Sequence, residues 1–172
     1  MVIRKKKIQE IILLAILVAL ATILSYIDSL VSRIAFSFLP TAKIGIANII
    51  VLFAIYKLDF QRTIIIVILK SFLVGLILGS PVTFIISFSA TMVSFLGMYL
   101  LHKGLKEKAS AVGISVMGGA LHIIVQLLVV AMIYQLGEVV ISYGAILLFG
   151  SLITSIIIGL LANKVIQYIQ FE

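Results

Sequence analysis

The sequence predicts an all-α integral membrane protein, a single transmembrane domain over residues 1–172 with six membrane-spanning helices and both termini cytoplasmic. Three observations predict it. Of the 172 residues, 63% are hydrophobic and 11% charged, whereas a soluble domain carries about 25% charged residues, so too little polar surface exists to cover a core in water. The apolar residues fall in runs close to the roughly 20 residues that a helix needs to cross a bilayer core of about 30 Å. With six crossings, ten of the thirteen basic residues lie in connections on one side: Arg4, Lys5, Lys6, Lys7, Lys57, Arg62, Lys103, Lys106, Lys108 and Lys164. Basic loops mark the cytoplasmic side.

The spans run over residues 8–27, 44–57, 61–79, 82–101, 110–135 and 140–168. The first follows a basic cluster as a signal peptide does, but its apolar run is too long and lacks a cleavage site, so it is a true span. The second has about 14 residues and is short for a crossing, which predicts either strong help from its neighbours or irregular backbone near Lys43. The third carries Lys70 at its midpoint, about 13 Å from either interface at 1.5 Å per residue. That is farther than a lysine easily reaches, and insertion there costs about 2.5–3.5 kcal/mol unless a partner or a wet cavity receives the ammonium. Two explanations stand: an ion pair with Asp28 or Glu138, or binding of an anion.

The net charge of +7 is dispersed in small groups between apolar runs, which excludes a nucleic-acid face. The absence of cysteine removes disulfides, thiolate metal sites and thiol nucleophiles. His102 belongs to the cytoplasmic end of span four and no second histidine lies near His122, so no metal site is expected, and Asp28 and Asp59 fall on opposite sides, unable to share a magnesium ion for diphosphate chemistry. No phosphate-binding loop or catalytic triad order is present. No enzyme activity and no cofactor are expected.

Three polar groups interrupt the apolar text. Residues 40–48 join Pro40, Thr41, Lys43, Gly45 and Asn48 at the start of span two, placing hydrogen-bond donors where the backbone enters the membrane. Ser80, Pro81 and Thr83 form the outer turn before span four, whose first N–H groups would face the outer side. His122 and Gln126, four residues apart, share one face of span five. Lys43, Asn48, Lys70, Ser80, Thr83, His122 and Gln126 are therefore the candidate ligand-binding residues, for a small amphipathic ligand with an anionic group. Small residues at four-residue spacing mark close helix contacts: Gly75 and Gly79, Ser151, Ser155 and Gly159, and Ala15 and Ala19.

Along residues 40–48 the sequence resembles the Gx transporter family, whose members are also labelled heptaprenyl diphosphate synthase component I. The pattern is a proline followed by Lys-x-Gly-x-Ala-Asn, here Pro40, Lys43, Gly45, Ala47 and Asn48. The resemblance continues through residues 24–30, the basic residue of span three, the Ser80-Pro81 turn and residues 119–126. Two positions depart: Ile123 stands where asparagine is usual, and Lys70 replaces an arginine, losing bidentate recognition of an oxyanion. The family is similar to the substrate-binding S components of energy-coupling-factor importers. That resemblance implies a six-helix bundle that captures a vitamin-like ligand from outside, beneath the connection between spans one and two. It also implies a transmembrane coupling subunit driven by two ATPases, docked through Ala15 and Ala19. The family label implies another role, as a non-catalytic membrane partner in heptaprenyl diphosphate synthesis, and an accessory of flavin or quinone redox machinery is a third.

Overall fold

The computed structural model describes residues 2–35, 45–105, 108–135 and 137–168, with the side chains of residues 2–6, 33, 35 and 138–141 outside the description. Six helices follow one another: α1 (Val2–Ala35), α2 (Asn48–Lys57), α3 (Phe60–Ile77), α4 (Pro81–Leu105), α5 (Ala111–Tyr134) and α6 (Gly137–Tyr168). Five of them are long and apolar enough to cross a membrane; α2, with 10 residues, is not. At 1.5 Å per residue α2 is about 15 Å long, half a bilayer core. The expected second span is thus a half-helix, preceded by a turn at Gly45, Ile46 and Ala47.

Side-chain caps set several helix boundaries. Asp59 accepts from the Arg62 N–H at 2.8 Å to start α3, and Ser110 accepts from the Gly113 N–H at 3.0 Å to start α5. Each satisfies one of the N–H groups that a helix start leaves open. At the α3–α4 turn, Gly79 takes φ +60° and the Ser80 N–H bonds back to the Gly75 carbonyl at 3.3 Å. Glycine suits that left-handed position because it has no Cβ.

Consecutive long helices pack side by side in the order α1, α3, α4, α5, α6, and α2 touches all five. Outward faces carry Ile11, Leu76, Leu100, Met132 and Phe149, all exposed. Apolar side chains turned outward along every long helix are the pattern of a multi-pass membrane protein.

The interior changes character halfway through. Around α2, Val51, Leu52, Ile55, Val67, Phe95, Met98 and Ile114 form one apolar cluster, and Leu17, Val18, Ala21, Phe53, Ala54 and Ile66 form a second. Beyond the start of α2 the buried face of α1 becomes polar, with Thr22, Ser25, Asp28, Ser29 and Ser32 all buried. This explains why α1 runs past the expected end at residue 27: its polar residues recur on the inward side, so the helix continues inside the protein. The apolar cluster of Ile86, Ile123, Leu127, Val130 and Leu147 is confined to α4, α5 and α6.

Small residues bring α5 against its neighbours. The Ser115 hydroxyl donates to the Ser155 carbonyl at 2.7 Å, Ser151 to Gly119 at 3.3 Å, and Ser94 to Gly118 at 2.8 Å. Ser151, Ser155 and Gly159 therefore serve internal packing. Gly75 lies against Phe84, whereas Gly79 faces open space and serves the turn.

Candidate functional site: a buried polar layer at mid-depth

One hydrogen bond fixes the relative height of α2 and α3. The Thr63 hydroxyl donates to the Ala54 carbonyl at 3.2 Å. Asn48 lies six residues before Ala54 and Lys70 seven residues after Thr63, so each stands about 10 Å beyond that bond, in one layer. A second bond, from Ser94 to the Gly118 carbonyl, sets α4 against α5. Thr91 and His122 lie three and four residues beyond it, about 5 Å farther along their helices. Lys70 is 2% exposed, Asn48 5%, His122 4%, Gln126 1% and Thr91 1%.

Asp28 is the residue that ties this layer to the start of α2. It is buried, and its carboxylate accepts the Gly45 N–H at 2.8 Å and the Ser32 hydroxyl at 3.5 Å. A negative charge at the N-terminal end of a helix is favoured by the partial positive charge there. The first N–H groups of α2 are satisfied by the preceding turn, Asn48 N–H to Gly45 at 2.9 Å and Ile49 N–H to Ile46 at 3.2 Å. Asp28, Lys70, His122 and Gln126 each make further interactions, so none is without a partner.

The candidate residues are thus not all in one place. Asn48, Lys70, His122 and Gln126 are buried on helices that all touch α2; α3 and α5 do not touch each other among the described residues, and α2 and α4 lie between them. With Gln126 between the two levels, Ser80 and Thr83 stand about 10 Å or more beyond Lys70 and His122, at the rim. There the Ser80 hydroxyl accepts the Thr83 N–H at 3.1 Å and the Ser80 carbonyl accepts that of Phe84. Ser80 caps α4 with Pro81 at the first helical position, where a missing N–H costs nothing. Lys43 lies outside the described residues.

Two clefts open elsewhere. One of about 320 Å³ at the α3–α4 turn is lined by Phe72, Gly75, Leu76, Ser80 and Phe84. A larger one of about 870 Å³ lies at the end of the bundle that holds the chain start, between Tyr56, Asp59, Phe60, Tyr99, His102 and Lys103. Its walls are held by the Tyr56 hydroxyl donating to the Ala109 carbonyl at 3.3 Å and by the Tyr56 and His102 rings, 4.4 Å apart. Among the described residues no group of His, Cys, Asp and Glu could hold a metal ion.

In the sequence Asp28 is legible as a counter-ion for Lys70, but its hold on Gly45 is not, because the two residues are 17 positions apart. Thr91 was missed as well. In membrane helices a threonine usually bonds to the carbonyl four residues back, as Thr22 does to Val18 at 2.7 Å and Ser71 to Val67 at 2.9 Å. Thr91 does not, and only the structure separates it from the others.

No curated protein and no solved structure matches the chain. A family model, heptaprenyl diphosphate synthase component I, matches residues 17–165, which takes in α2 to α5 whole and most of α1 and α6. The Lys-x-Gly-x-Ala-Asn segment, Asp28 and the polar layer all fall within that match, and the chain belongs to the heptaprenyl diphosphate synthase component I family, also known as the Gx transporter family.

Proposed function

We propose that this protein is a substrate-binding membrane subunit of the energy-coupling-factor type. Its termini lie in the cytoplasm, and it takes a small amphipathic anionic molecule, of the vitamin, isoprenoid or quinone-precursor class, from the outer side. The observation that carries the reading is the division of the interior at mid-depth. One half of the bundle is filled by α2 and apolar side chains; the other presents a buried lysine, amide, imidazole and hydroxyls from the level at which α2 begins. Burying such groups in a bilayer is costly, and intramembrane ionisable residues mark ligand and ion pathways. The Lys70 ammonium is suited to an anionic group, and the apolar surroundings to the rest of the molecule. The sequence supports this orientation, since ten of the thirteen basic residues fall in connections expected on one side. The role is binding, not catalysis.

Motion or transport then needs energy from partners. Ala15 and Ala19 are exposed on α1, which among the described residues touches α2 and α3 alone, and small residues at this spacing allow close approach of another helix. The partner on this face is a transmembrane coupling subunit bearing ATPases. The family description favours a second reading, a non-catalytic membrane component of heptaprenyl diphosphate synthesis. Affinity purification of the full chain from its own membranes separates the two: a coupling subunit with ATPases supports import, and a prenyltransferase in its place supports the second.

A further inference from the structure

The polar layer holds two side chains whose hydrogen-bonding capacity is unspent. Among the described residues, the Asn48 side-chain oxygen and the Thr91 hydroxyl are buried and make no hydrogen bond. Both residues are more than nine-tenths buried. They sit on touching helices: α2 packs on α4, and Met92 and Phe95 of α4 share one apolar cluster with Val51 and Leu52 of α2. The tilted contact of Tyr56 with His102 sets the height. Asn48 lies eight residues beyond Tyr56 and Thr91 eleven beyond His102, which puts them about 5 Å apart along the bundle axis.

Buried polar atoms in native proteins are nearly always bonded, and the exceptions call for an explanation. The alternative most often open to a buried hydroxyl in a membrane helix, the carbonyl one turn back, is used by Thr22, Ser29 and Ser71 but not by Thr91. An amide oxygen only accepts, whereas a hydroxyl both donates and accepts. The pair therefore asks for a group that brings at least one N–H or O–H. A prenyl chain brings none, and an ionised diphosphate brings acceptors.

We propose that Asn48 and Thr91 form a subsite for a hydrogen-bond donor, a ring N–H, amide N–H or hydroxyl, on the same molecule whose anionic group lies by Lys70. This rests on the reading of the mid-depth layer as a ligand site. It narrows the substrate class to polar, donor-bearing amphipathic acids and away from prenyl diphosphates.

Thermal unfolding of the purified full chain in detergent tests it with two readouts. The first needs no ligand. Thr91→Val keeps the shape and removes a hydroxyl that the empty protein leaves unbonded, so the variant should melt about 2–4 °C higher than the parent. A lower melting temperature shows that the hydroxyl is already used for folding and overturns the proposal. The second readout compares three probes: indole-3-propionate, its 1-methyl counterpart without the ring N–H, and farnesyl diphosphate. Indole-3-propionate should stabilise the parent protein at concentrations at least tenfold lower than the other two, and Asn48→Leu and Thr91→Val should each erase that preference. Equal stabilisation by the two indole acids, stabilisation by neither, or a preference for farnesyl diphosphate overturns the proposal. Lys70→Met separates the two levels of the argument. If it binds the probes as the parent does, the ligand-site reading fails; if it loses all three while Thr91→Val keeps the N–H preference, only the donor subsite fails.

Discussion

Alanine at Gly159 should destabilise the bundle, and alanine at Gly150, nine residues earlier on α6, should stabilise it. A Cβ built at Gly159 would lie 2.6 Å from Val112 Cα, 3.0 Å from Ser115 Cβ and 3.3 Å from the Ala111 carbonyl oxygen. Carbon atoms rest about 3.5–4.0 Å apart, and two of these neighbours are backbone of α5, so α6 must retreat by about 1 Å. One turn away, the Ser115 hydroxyl reaches the Ser155 carbonyl at 2.7 Å. A shift of about 1 Å takes it past the length of a real hydrogen bond. Overpacking costs about 1–3 kcal/mol and an interhelical hydrogen bond in a membrane protein about 0.6 kcal/mol, against about 1 kcal/mol gained because alanine is the better helix former. The net expectation is a loss of about 0.5–2.5 kcal/mol. At Gly150 a Cβ meets nothing within 4 Å, so only the gain of about 0.5–1 kcal/mol remains. Thermal unfolding of both variants in one detergent measures the contrast. A Gly159→Ala protein that melts at or above the parent would refute the close α5–α6 seam.

Asp28→Ala removes the acceptor of the Gly45 N–H and should cost about 1.5–3 kcal/mol, the range for hydrogen bonds to charged groups; amide exchange at the start of α2 should accelerate, with Asp28→Asn intermediate, and unchanged exchange would sever Asp28 from α2. A Leu105→Cys protein, cysteine-free elsewhere, should resist a membrane-impermeant thiol reagent in intact cells and react after lysis. Labelling without lysis would reverse the assigned orientation. Replacing Ala15 and Ala19 together with Trp should abolish co-purification of the coupling subunit while leaving the melting temperature of the isolated chain unchanged, because both side chains face outward.

The five long helices were legible because hydropathy is a property of runs, and the ends it missed are those where the interior is polar. On α1, Ser25, Asp28, Ser29 and Ser32 look like the end of a span, yet all four are buried and the helix reaches Ala35. The weak second span was legible as a length deficit at Lys43 and Asn48; that it is a half-helix touching every other helix depends on contacts the chain makes far away in sequence. Lys70 could be singled out from the cost of its charge alone, and its side chain is buried. At the α3–α4 turn the hydroxyls of Ser80 and Thr83 were legible but the local use of Ser80 was not: it caps α4, accepting the Thr83 and Phe84 N–H groups. The anchoring of Gly45 by Asp28 had no local signal, because no spacing rule connects a carboxylate on one helix with an amide beyond the next loop.

The most direct test of the ligand-site reading is native mass spectrometry of the parent protein and Lys70→Met, purified in parallel from the same membranes. Methionine preserves the length and apolar stem of the lysine and removes only the ammonium, so folding, followed by thermal unfolding, should survive. The parent should carry a small-molecule adduct with an acidic group, and Lys70→Met should lose at least nine-tenths of it. A folded Lys70→Met protein carrying the same adduct at the same occupancy would contradict the account and leave Lys70 as a packing residue.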